Sequence, residues 1–167
     1  MQKTFVRNND PSIWQEQHKN YNCGAFALDT LTWVLPYDND DEYTGQYREH
    51  LIRDMYEEGV SKQVIFETLL ALDQQSLLRA CSWIEPVLFN EIRPEDRVVA
   101  YRLYLNEDDL DVGLLDDDFH FRVRLNGEWW EKCGEDLVRT CDMEEDPWYV
   151  SPVLKYDSEI VYFRFKN

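Results

Sequence analysis

The run Phe119-His120-Phe121-Arg122-Val123-Arg124-Leu125-Asn126-Gly127-Glu128-Trp129-Trp130-Glu131-Lys132 decides the fold. Apolar and polar residues alternate on both sides of Asn126-Gly127, the dipeptide that two-residue hairpin turns favour, so the stretch reads as an antiparallel β-hairpin. Such a turn sets Leu125 opposite Glu128, Arg122 opposite Glu131 and His120 opposite Cys133. One face then carries Phe119, Phe121, Val123, Leu125 and Trp130 and is expected to pack on the core. His120, Arg122, Arg124, Trp129, Glu131 and Cys133 share the other face, expected to be the wall of a cleft with Trp129 in its groove.

Outward from the hairpin, Val98-Val99-Ala100-Tyr101-Arg102-Leu103-Tyr104-Leu105 and Ile160-Val161-Tyr162-Phe163-Arg164-Phe165 are rich in strand formers and extend the sheet. Helical signals precede it. Asn22 caps a helix expected over Cys23 to Leu35, with Phe26, Ala27, Leu31, Val34 and Leu35 at helical spacing and Pro36 ending it. A second helix is expected over Tyr47 to Glu58, stopped by Gly59, and a third after Ser61 with Ile65, Leu69, Leu70 and Leu72 as its apolar stripe. Both are expected to pack beside the first. Helices over about 1–90 and strands over about 91–167 make an α+β arrangement, N-terminal helices on a C-terminal antiparallel sheet, rather than alternating βαβ units. The 167 residues, 44% of them apolar, suffice for one domain with its own core.

Composition narrows the function. Acidic residues outnumber basic ones 34 to 17, a formal charge of −17. That charge repels phosphates and argues against direct nucleic acid binding, while it suits docking on a basic protein, including by imitation of a nucleic acid's phosphate lattice. No segment has the apolar core of a signal peptide or approaches the roughly 18 apolar residues of a membrane span, so a cytoplasmic chain without membrane contact is expected. Cys23, Cys81, Cys133 and Cys141 have no C-x-x-C spacing, which argues against a zinc knuckle and for reduced thiols. No metal or other cofactor is expected. Cys81 reads as a small core residue. The acidic runs Glu107-Asp108-Asp109, Asp116-Asp117-Asp118 and Glu144-Glu145-Asp146 lack calcium-loop spacing and read as solvated loops.

Cys23 is the cysteine with a catalytic setting, at the head of the apolar run Asn22-Cys23-Gly24-Ala25-Phe26-Ala27-Leu28, where the helix dipole favours a thiolate. An imidazole alongside completes a nucleophile–base pair, and His120 on the hairpin is the candidate. His18 and His50 read as solvated. A third group is needed to orient the imidazole. Glu131 shares the face of His120, although its simplest role is a cross-strand ion pair with Arg122; Asp118 and Asp136 flank the hairpin, and the choice stays open.

These residues resemble a papain-like cysteine-peptidase-type domain of bacterial and phage proteins. The resemblance rests on Asn22-Cys23-Gly24-Ala25-Phe26-Ala27-Leu28, Asp118-Phe119-His120-Phe121-Arg122-Val123, Gly127-Glu128-Trp129-Trp130-Glu131-Lys132-Cys133-Gly134, Pro147 or Pro152, and Tyr162-Phe163. It implies a papain-like fold with Cys23 as nucleophile and His120 as general base. It also implies Gln17, six residues before Cys23, as an oxyanion donor, with Gln15, Asn20 and Asn22 as competitors. The chain departs from the pattern at Glu131, where histidine is frequent, and at Cys133, where proline is common. Two functions follow as expectations: a cysteine hydrolase acting on a peptide or protein amide, or a catalytically inactive acidic interaction or inhibitor protein.

Overall fold

A computed structural model of the chain describes residues 22–30, 33–106, 117–133, 137–148 and 156–166. The hairpin forms as its sequence dictates. Asn126 and Gly127 both take positive φ, 51° and 83°, the pair of left-handed residues that a type I′ turn demands. They join β3 (Asp117–Leu125) to β4 (Glu128–Lys132), with Leu125 opposite Glu128 and Arg122 opposite Glu131. β4 ends at Lys132, so the expected ladder pair of His120 with Cys133 is not made.

The remaining elements are α1 (Cys23–Ala27), α2 (Gly45–Glu57), α3 (Lys62–Ala80), β1 (Ile84–Val87), β2 (Val98–Leu105), β5 (Val138–Cys141) and β6 (Val161–Phe165), with a 3-10 turn at Phe89–Glu91. Six strands form one antiparallel sheet in the order β1-β6-β2-β3-β4-β5. Helices and an antiparallel sheet give the expected α+β class. Two strands went unread in the sequence. β1 lies at 84–87, ahead of the expected start of the sheet, and β5 follows the hairpin as a short edge.

The first helix is shorter than its periodicity predicts. It runs for five residues and stops before Asp29, which turns to φ 56°. Asn22 is its cap, as expected, accepting from the Ala25 N–H at 2.9 Å. The same side chain also accepts from the Val34 N–H at 3.1 Å and donates to the Val34 carbonyl at 2.5 Å. It thereby holds Val34 in a non-helical segment, and a helix continued to Leu35 cannot satisfy those bonds. α1 packs on β3 and β4. The second and third helices start at Thr44 and Ser61 caps and pack on each other. Gly59, at φ 77°, ends α2 as predicted. Ile65, Leu69 and Leu70 are buried, while Leu72 is half-buried.

The core joins α1 and α3 to one face of the sheet through Phe26, Leu28, Ile65, Leu77, Phe121 and Phe163. A buried charged knot ties the helices to the sheet beside it. Asp73 of α3 accepts from Arg48 Nε at 3.2 Å, Arg48 Nη2 at 3.1 Å, the Tyr101 hydroxyl at 2.6 Å and the Tyr43 hydroxyl. Arg48 also pairs with Asp117 at the start of β3.

Asp29 offers a test of burial against charge. Burial raises its carboxyl to about 6 against the pull of Arg97, whose guanidinium lies 3.2 Å away. A folded value above the unfolded one means that this group's contribution is favourable at low pH and is lost as pH rises from about 4 through 6. Urea melts at pH 4 and pH 6.5 are expected to differ less for Asp29→Asn than for the native chain, and asparagine tolerates the left-handed backbone.

Candidate active site

The hairpin register fixes the centre of the site. His120 Nε2 lies 2.9 Å from Glu131 Oε2, and both side chains are buried. The cross-strand ion pair also forms, since Arg122 Nε reaches the same oxygen at 2.9 Å. Arg139 of β5 donates to Glu131 Oε1 at 3.0 and 2.6 Å. Burial opposes ionisation of Glu131, but the hydrogen bond and charge of His120, followed by those of Arg122, outweigh it and hold the carboxyl at about 2. Among the described candidates for the orienting group, Glu131 meets the imidazole. Asp118 instead accepts from the Tyr156 hydroxyl at 2.8 Å. Asp136 lies outside the described residues, as do Gln17, Gln15, Asn20 and His18. His50 is on the exposed side of α2.

Two aromatic rings clamp the imidazole. Tyr156 stacks on it at a centroid distance of 5.4 Å and Trp148 meets it edge-on at 5.7 Å. The segments that carry them are latched to the sheet. Arg122 donates to the carbonyls of Asp146 and Pro147, both at 3.1 Å, and lies 4.4 Å from the Trp148 ring centre. The Ser158 hydroxyl accepts from the Leu103 N–H at 2.9 Å, and its carbonyl takes Arg102 Nε at 2.5 Å. The polar hairpin face, expected to wall an open cleft, is therefore covered by a second small core of Ala100, Tyr104, Trp148 and Tyr156, with Trp129 packed against it. His120 keeps 5% of its surface exposed. Tyr156 and Arg139, which meet His120 and Glu131, are marked by no periodicity in the sequence.

Cys23 sits where α1 meets β3 and is likewise 5% exposed. The helix start was expected to lower its pKa. Burial instead pushes the thiol up to about 12, outweighing the N–H groups of Phe121 and Gly24 that hydrogen-bond its sulfur; the charge of Asp118 adds to the rise. A five-residue helix supplies little dipole to oppose that desolvation. Its neighbour Gly24 fits because it lacks a side chain: a Cβ there stands 2.8 Å from Val34 Cβ and 3.1 Å from the Phe121 ring. Gly24→Ala is therefore expected to destabilise the fold by about 1–3 kcal/mol in thermal melts and to push Cys23 away from β3.

Cys23 heads the helix that packs on β3, the strand that carries His120. Among the described residues, the ligating atoms of His120, Glu131 and Cys133 lie within 4.8 Å of one another; Cys23 is not of that group. Three donors of this kind suit a transition metal in principle. Here the Arg122 and Arg139 guanidinium groups occupy the Glu131 carboxylate and oppose a second cation. Cavities of about 480 Å³ beside Val87, Leu88, Phe89 and Tyr162, and of about 310 Å³ beside Phe66, Leu70 and Ser158, lie elsewhere. Cys81 is a buried core residue, as expected, and none of the four cysteines is joined in a disulfide. Among the described residues, no helix is long and apolar enough to cross a membrane.

No family model matches the chain, and neither a curated protein nor a solved structure matches it.

Proposed function

We propose that the protein is a papain-like cysteine hydrolase that cleaves a peptide or protein amide, with Cys23 as nucleophile, His120 as general base and Glu131 as the residue that orients the imidazole. The observation that carries this reading is the buried 2.9 Å contact of His120 Nε2 with an ionised Glu131, on a strand against which the helix headed by Cys23 packs. A carboxylate on one ring nitrogen fixes the tautomer and leaves Nδ1 as the base, the logic of a nucleophile–base–orienter triad.

In the reaction, Nδ1 takes the thiol proton as the sulfur adds to the amide carbonyl. The C–N bond breaks as the imidazolium returns that proton to the leaving amine, and a thioester remains on Cys23. Water, deprotonated by the same imidazole, then releases the acid and restores the thiol. Because burial holds the resting thiol protonated, sulfur attack and proton transfer are coupled, and substrate must part the cover of the site first. Gln17 keeps its proposed role as oxyanion donor.

One observation favours a second reading. A nucleophile with 5% of its surface exposed suits a chain that keeps the fold without the reaction, and the net charge of −17 then serves a basic protein partner. Hydrolysis of a library of fluorogenic peptide amides by the native chain and by Cys23→Ala separates the two. Turnover lost in the variant supports the hydrolase. No turnover from either, alongside salt-sensitive binding of a basic protein by both, supports the interaction protein.

A further inference from the structure

We propose that Cys133 is a second reactive thiol, a site of oxidation by small neutral hydroperoxides seated against the His120–Glu131 pair. The inference stands on the geometry around Cys133 and holds whether or not Cys23 is a nucleophile.

Cys133 follows the last residue of β4, and there the chain brings three activating features together. Its sulfur is within 4.8 Å of a His120 ring nitrogen and of a Glu131 oxygen. Arg139 Nη2 lies 3.7 Å from it, and the guanidinium is itself held by Glu131, so the cation is fixed rather than free to swing into solvent. A guanidinium beside a thiol favours the thiolate, which is the form that reacts. Cys133 is also half-exposed, whereas Cys23 and Cys81 are buried.

The site suits a particular class of electrophile. Glu131, Asp118 and the overall charge of −17 repel anions. The indole N–H of Trp148, buried and without a hydrogen-bond partner among the described residues, belongs to the ring packed edge-on against the same imidazole. In the reaction the Cys133 thiol proton passes to His120. The thiolate attacks one peroxide oxygen, an S–O bond forms as the O–O bond breaks, and the sulfur loses two electrons. The departing hydroxide takes the proton from the imidazolium and leaves as water, so hydrogen peroxide is reduced and Cys133 becomes a sulfenic acid.

Cys141 provides an internal control. It is half-exposed like Cys133, but burial pushes its thiol up to about 12 despite the nearby arginines. The test is treatment of the whole chain at neutral pH with hydrogen peroxide in the presence of dimedone, with tagging of each cysteine followed by mass spectrometry. Cys133 is expected to be tagged about tenfold or more faster than Cys141 and Cys81, to slow at least about threefold in Arg139→Gln, and to recover in Arg139→Lys. The Arg139 side chain is 65% exposed, so these variants fold, as circular dichroism will register. Tagging of Cys133 no faster than Cys141, or a rate indifferent to Arg139→Gln, overturns the inference. Fastest tagging at Cys23 also overturns it, while leaving the hydrolase reading intact.

Discussion

Asp73→Ala is expected to destabilise the protein by about 3–5 kcal/mol, with a fall in melting temperature on the order of 10 °C. The Asp73 side chain is fully buried and accepts from Arg48, Tyr43 and Tyr101. Alanine leaves a buried guanidinium with Asp117 as its carboxylate partner and strips two buried hydroxyl groups of their acceptor. The cost is that of unpaired buried polar groups, larger than the net value of the ion pair itself. An exposed pair supplies the contrast. Arg79 with Asp40 lies on the surface, and Arg79→Ala is expected to change stability by less than about 1 kcal/mol. Urea denaturation of both variants checks the comparison, and a loss below 1 kcal/mol for Asp73→Ala contradicts the account of the knot.

Glu131→Gln is expected to lower kcat of the proposed hydrolysis by about 10³–10⁴-fold, because an amide no longer fixes the base tautomer or balances the imidazolium. The same change has a signature in stability. The Glu131 carboxyl is depressed from 4.5 to about 2, so its contribution is fully present above about pH 4.5 and is lost as pH falls toward 2. Acid unfolding of the native chain in that window is expected to be steeper than that of Glu131→Gln. A kcat within tenfold of native rejects Glu131 as the orienting residue, and matching acid profiles reject the depressed carboxyl.

What was legible in the sequence is what local chemistry dictates. Asn126-Gly127 fixed the hairpin register, and that register alone brought Glu131 to Arg122 and to the face of His120. Caps at Asn22 and Ser61 and the stop at Gly59 are likewise local. The illegible parts depend on distant residues. α1 ends early because Asn22 bonds Val34, twelve residues on. β1 contains Pro86 and Glu85, a pattern that does not read as a strand, and it is tolerated because β1 is an edge paired with β6 alone. The cover over the hairpin's polar face comes from Trp148 and Tyr156, latched by Arg122, Arg102 and Ser158 across long separations. The same distance explains Cys23. Its sequence neighbours predict a thiol eased by a helix start, whereas packing of α1 against β3 desolvates it.

The central claim is that Cys23 and His120 act as one unit. Its most direct test is incubation of the whole chain with a panel of peptidyl vinyl sulfones, which require attack by an activated thiol, followed by mapping of the adduct in the native protein and in His120→Ala. The account predicts an adduct on Cys23 that the variant fails to form. An adduct confined to other cysteines, or one on Cys23 that forms equally without His120, contradicts it.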